Sequence, residues 1–184
     1  MLYVYVLTGI AGIIVLRFVY LIVKRLALIG KIKNICKKNG SSFKKLSPTV
    51  KSVFLRSKSI DFCIDEKIYV KILAVPTKKC RCHFETDKVE IYKTANQQFL
   101  VNKQSPGANI TSVKTEKKVR TYGFSFEGFD KLPDGATKVI MIYPAPNEIS
   151  AADAKDEMLG NGDTLHGDVL LFDKNHFLSF IENI

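Results

Sequence analysis

Cys80-Arg81-Cys82-His83 is the densest run of metal-ligand residue types in the chain. Thiolates and imidazole are zinc ligands, but a structural zinc site pairs two knuckles of C-x(2–4)-C spacing. No second knuckle is present: Cys36 lies upstream in a basic segment, and Cys63 alternates with apolar residues. The four cysteines therefore read as free thiols, and no metal or other cofactor is expected. The histidines are His83, His166 and His176. A nucleophilic triad needs Ser or Cys beside a His that a carboxylate orients. His166-Gly167-Asp168 falls in a turn-rich region with no G-x-S-x-G near it, and neither a P-loop nor G-x-G-x-x-G is present. Asp153, Asp156, Asp163, Asp168 and Asp173 lack the D-x-[DN]-x-[DN]-G order of a calcium loop and read as a solvated acidic face.

A second constellation joins a carboxylate and a lysine on neighbouring strands. Residues 60–64, Ile-Asp-Phe-Cys-Ile, alternate cleanly, and so do residues 68–75, with Lys71 as their one charge. Asp65-Glu66-Lys67 between them is a short polar turn, which predicts a hairpin over 60–75. A basic helix ending at Asn39-Gly40, then Asp61 on one strand and Lys71 on the next, resembles the restriction-endonuclease-like superfamily. That family places an Asp on one strand and Glu-x-Lys on its neighbour. Two carboxylates there hold a divalent metal while the Lys steadies the attacking water. The resemblance spans roughly residues 28–75, with Asp61 and Lys71 at matching positions and Tyr69 where the second carboxylate would stand. It implies a divergent nuclease-like hydrolase, which needs another acid, such as Asp65, Glu85 or Glu90, beside Asp61.

The elements that must position these residues follow from periodicity. Residues 82–92 predict another hairpin, around Thr86-Asp87-Lys88, and residues 50–55, 99–102 and 119–126 predict further strands. Residues 138–143, Lys-Val-Ile-Met-Ile-Tyr, predict a central strand, and residues 168–172 another. Residues 103–118 are polar, contain Pro and Gly, and predict an exposed loop. Ser150-Ala-Ala-Asp153 has the form of a capping box and predicts a helix up to Leu159. An apolar tail over 177–181 ends the chain.

The front of the chain is different. Residues 2–23 hold one side chain that is charged at neutral pH, Arg17. About 20 apolar residues at about 1.5 Å rise suffice to cross a bilayer core of about 30 Å. This predicts a transmembrane helix, with Tyr3, Tyr5 and Tyr20 at the two interfaces and Arg17 reaching for the nearer one. Thr8-x-x-x-Gly12 offers a small-residue face for pairing. No charge precedes the run and no A-x-A closes it, so it does not read as a cleaved signal. Lys24, Arg25, Lys31, Lys33, Lys37 and Lys38 follow it on a basic helix over 24–40. They are expected to contact the membrane surface and its anionic headgroups. By the positive-inside rule the N-terminus should lie outside and residues 24–184 in the cytoplasm.

Charge is strongly polarised along the 184 residues. Residues 1–60 hold 12 basic and no acidic side chains, residues 61–120 hold 12 and 7, and residues 121–184 hold 4 and 11. The sum of +12, +5 and −7 is the net +10. A basic front and acidic back argue against a uniformly cationic nucleic-acid binder, and residues 24–58 lack interleaved aromatics, so nucleic acid is not an expected partner.

The expected architecture is thus α+β: a transmembrane helix over 2–23, a basic juxtamembrane helix over 24–40, and one strand-rich, mostly antiparallel domain over 41–184. In that order of parts the chain resembles small single-pass membrane proteins found in bacterial genomes, a resemblance that implies topology and no activity. With no complete catalytic set, the expected function is a non-enzymatic binding or scaffolding module. Its expected partners are the lipid bilayer and a protein. The hydrolase built on Asp61 and Lys71 is the alternative.

Overall fold

A single helix, α1 (Leu2–Lys38), opens the chain and carries its later turns into the core. The computed structural model describes residues 2–47, 60–75, 79–85, 88–100, 110–123, 126–152, 158–165 and 167–184. Leu28, Ile29, Ile32, Ile35 and Cys36 recur at helical spacing and are buried, while Lys31, Lys33, Lys37 and Lys38 face outward. The helix stops where Gly40 takes a left-handed φ of +75°. Ser41 N–H then donates to Cys36 O and Gly40 N–H to Lys37 O, the paired bonds of a Schellman motif.

The chain then builds two sheets. The first contains β1 (Phe43–Lys45), β2 (Phe62–Ile64), β3 (Ile68–Ala74), β7 (Thr137–Tyr143), β10 (Val169–Asp173) and β9 (Thr164–Leu165), in the order β1-β2-β3-β7-β10-β9. The second, in the order β6-β5-β4-β8, contains β4 (Cys80–Phe84), β5 (Lys88–Leu100), β6 (Ile110–Gly123) and β8 (Glu148–Ala151). The turn between β2 and β3 places Asp65 and Glu66 at φ of 51° and 53°, and Lys67 N–H closes it by donating to Ile64 O at 3.0 Å. β7 pairs in parallel with both β3 and β10. Its Val139, Ile140, Met141 and Ile142 are fully buried, as a strand covered on both faces must be. A short helix, α2 (Glu127–Asp130), precedes β7, and α3 (Lys174–Glu182) follows β10, its first amides capped by the Asp173 carboxylate.

Strand parity divides the core in two. Phe62, Ile64, Val70, Val139, Met141 and Phe172 pack on one face of the first sheet against the inner stripe of α1 and Phe177, Leu178 and Ile181 of α3. Leu73, Ile140, Ile142 and Leu171 on the other face meet Cys80, Cys82, Phe84, Val89 and Ile91 of the second sheet. The result is three layers: helices, mixed sheet, second sheet.

Three expectations are corrected. Among the described residues no helix is long and apolar enough to cross a membrane, so the transmembrane helix over 2–23 is not supported. The single-pass cell-membrane placement, with an outer N-terminus and a cytoplasmic domain, falls with it. The physical reason lies in the helix itself, since α1 runs on without a break. Its later turns carry six cations between Lys24 and Lys38, and their apolar positions pack on the sheet. The capping box at Ser150 instead lies in β8, which pairs in parallel with β4. The loop expected over 103–118 contains β6 from Ile110 onward. The strand expected over 50–55 lies outside the described residues.

Candidate functional site

Asp61 leads into β2 with its N–H donating to Val70 O at 2.9 Å, which aligns it across from Lys71. Its own carbonyl accepts from Leu46 and Ser47, so the backbone here is fixed on both sides. Its carboxylate is 6% exposed and both oxygens are engaged. Oδ1 lies 2.5 Å from the Arg25 Nη2 of α1, and Oδ2 accepts from Ile72 N–H at 2.6 Å. The chain thereby clasps the start of the docked half of α1 to the β2–β3 hairpin. Arg25, expected among the membrane-facing cations, is instead buried at 6% exposure, and its Nε has no partner among the described residues. Lys24, Lys31, Lys33, Lys37 and Lys38 remain exposed, with Lys24 4.4 Å above the Tyr20 ring.

Lys71 is also buried, and burial pushes its ammonium down to about 8, against the opposing pull of Asp61 and Glu127. Asp61, Lys71 and Arg25 are therefore brought together, with Glu127 of α2 close enough to influence the lysine. The acids proposed to complete a metal site are elsewhere. Asp65 accepts from Ser42 N–H at 2.6 Å at the far end of the hairpin, Glu85 pairs with Lys88, and Glu90 pairs with Lys88 and Lys118 on the second sheet. Tyr69 sits half-buried on β3, paired in register with Cys63 and offering no carboxylate.

Cys36, Cys63, Cys80 and Cys82 are buried and form no disulfide among the described residues. Cys80 and Cys82 share the inner face of β4, where the neighbouring Cys80 and burial raise the Cys82 thiol, while its hydrogen bond with Cys82 lowers Cys80. Among the described residues no group of three or more His, Cys, Asp or Glu could hold a metal ion. His166 lies outside the described residues, as do Asp153 and Asp156; Asp168 pairs with Lys138 at 2.6 Å. Asp163 binds Gly160 N–H, and Asp173 meets His176 Nδ1 at 2.8 Å within the α3 cap.

The outer face of the second sheet holds a polar row that residue spacing alone does not reveal. Ser150 Oγ lies 3.0 Å from His83 Nδ1, and His83 is the register partner of Glu90 on β5. Glu90 accepts from Tyr92 Oη at 2.5 Å and from Lys118, and the Arg81 guanidinium lies 5.1 Å from the Tyr92 ring centre. Lys118 and the Tyr92 hydroxyl hold the Glu90 carboxyl down at about 2. With that carboxylate bonded to Lys118 and Tyr92, the row does not form a triad with His83. The alternation of Cys80, Cys82 and Phe84 with Arg81 and His83 was the available signal. Finding Ser150 beside them required β8, which its capping-box sequence disguised. No family model, curated protein or solved structure matches this chain.

Proposed function

We propose that this chain is a non-enzymatic binding module in which Asp61 and Lys71 serve the fold. The carrying observation is the double engagement of the Asp61 carboxylate by Arg25 and Ile72 N–H. A hydrolytic site of the carboxylate–lysine type needs that carboxylate, with a second one, turned toward a shared metal. Seating an ion on Asp61 would break the clasp and leave the Arg25 guanidinium buried without its counter-charge. The surfaces left for partners are the outward side of α1, where Ile13, Leu16, Val19 and Val23 are exposed, and the second sheet with its long hairpin.

The test is phosphodiester hydrolysis of plasmid DNA, RNA and bis(p-nitrophenyl) phosphate with Mg²⁺ or Mn²⁺, comparing the natural chain with Lys71→Ala and Asp61→Asn. Equal background turnover by all three supports the reading. Metal-dependent turnover by the natural chain that Lys71→Ala abolishes, with its thermal unfolding intact, overturns it.

A further inference from the structure

β5 and β6 pair antiparallel over thirteen register positions, from Lys88↔Gly123 to Leu100↔Ile110. β4 accompanies β5 only as far as Cys80↔Lys93. The seven positions from Thr94↔Glu116 to Leu100↔Ile110 therefore continue as a two-stranded ribbon, about 23 Å long at about 3.3 Å per residue. Residues 88–123 contain seven basic and two acidic residues, against four and eleven over 124–184.

At the root of the ribbon Lys93 and Lys117 are direct cross-strand partners, and both are exposed. Like charges directly opposite one another destabilise a sheet. Neither lysine has a carboxylate partner among the described residues, whereas the next cation, Lys118, is held by Glu90. The arrangement is one that a bound polyanion would relieve. A two-stranded ribbon also fits the roughly 12 Å width of a duplex major groove, whose backbones carry about one charge per 1.7 Å. An acidic protein surface would call for apolar anchors beside the lysines; among the described side chains at the root, the exposed ones are Lys93, Lys117, Lys118 and Thr121. The composition of residues 24–58 points away from nucleic acid, but the root of the ribbon lies elsewhere in the fold: Lys93, the register partner of Cys80, shares one face with Lys117, while Arg81 over Tyr92 lies on the other.

Resting on the binding-module reading, we infer that the β5–β6 ribbon binds double-stranded nucleic acid, with Lys93 and Lys117 against backbone phosphates. The test is fluorescence anisotropy of a labelled 20-bp DNA duplex in EDTA over rising salt, with the natural chain, Lys117→Glu and Lys93→Glu/Lys117→Glu. The duplex should bind with a negative log–log salt slope that flattens by about 0.9 for each phosphate no longer neutralised. Lys117→Glu should weaken binding at least tenfold at about 100 mM salt while converting a like-charge pair into an attractive one. Its thermal midpoint should therefore stay or rise, which separates a weakened interface from a damaged fold. Equal binding by Lys117→Glu, absence of duplex binding at about 50 mM salt, or tighter binding of polyglutamate or single-stranded DNA overturns the inference. Cleavage on adding Mg²⁺ would overturn the binding-module reading and leave the assignment of the ribbon to duplex binding standing.

Discussion

The Arg25 guanidinium and the Asp61 carboxylate, 36 residues apart in sequence, meet at 2.5 Å where the docked half of α1 begins. Asp61 accepts from the Ile72 amide with its other oxygen. One side chain therefore ties the opening helix to two strands, which places it among the structural elements of the molecule.

Breaking this clasp from one side should be severe. Arg25→Met leaves a buried carboxylate with one partner and is expected to cost about 3–5 kcal/mol, whereas Arg25→Met combined with Asp61→Leu should recover much of that stability. Denaturant unfolding of the two singles and the double, read as a cycle, checks the coupling. Additive effects would show that the pair does not act as a unit.

Lys71 should be a burden in its charged form. Burial lowers its folded pKa to about 8 from an ordinary 10.5 despite Asp61 and Glu127 nearby. Between those values the unfolded chain holds more protons, so stability attributable to this residue should rise as pH climbs from 8 to 10.5. Lys71→Met should remove that slope and raise the thermal midpoint, by about 2–4 °C for each 1 kcal/mol recovered. Melting curves from pH 7 to 10.5 check it; an unchanged slope in the variant would refute the assignment.

Glu90 should produce an acid limb. Lys118 and the Tyr92 hydroxyl hold its carboxyl at about 2, below the ordinary 4.5. A depressed carboxyl contributes stability above its unfolded value and loses it as pH falls through the folded one. The contribution should fade between pH 4.5 and 2, and Glu90→Gln should flatten that part of the stability profile.

The α3 cap gives a smaller, local effect. Asp173 accepts from the amides of Asn175 and His176, so Asp173→Ala should cost about 1 kcal/mol. Phe177, fully buried between the sheet and α1, should cost about 3–5 kcal/mol as Phe177→Ala. Urea titrations of both variants rank them.

What was legible in the sequence was whatever period two or a stop signal encodes locally. The β2–β3 hairpin, the buried run of β7 and the Asn39-Gly40 helix stop are all written in adjacent residues. The alternation of Cys80 and Cys82 with Arg81 and His83 likewise carries the two-faced pattern that β4 adopts. What failed depended on distant partners. Ser150 reads as a helix cap until β4 pairs beside it. Ile110 to Lys118 of β6 reads as a loop because its polar residues carry no sustained period-two alternation. The front apolar run reads as an isolated span until the rest of its helix is seen docked on the sheet. Asp61 reads as a metal ligand by type and place; that Arg25 already occupies it is invisible without the fold.

The most direct test of the central claim, that Asp61 is a clasp and not a metal seat, is thermal unfolding of the natural chain across a Mn²⁺ titration to millimolar concentrations. A ligand that binds the folded form alone must raise the midpoint. The predicted result is a midpoint that does not rise with metal but falls sharply on Arg25→Met. A metal-dependent rise that Asp61→Asn removes would contradict it.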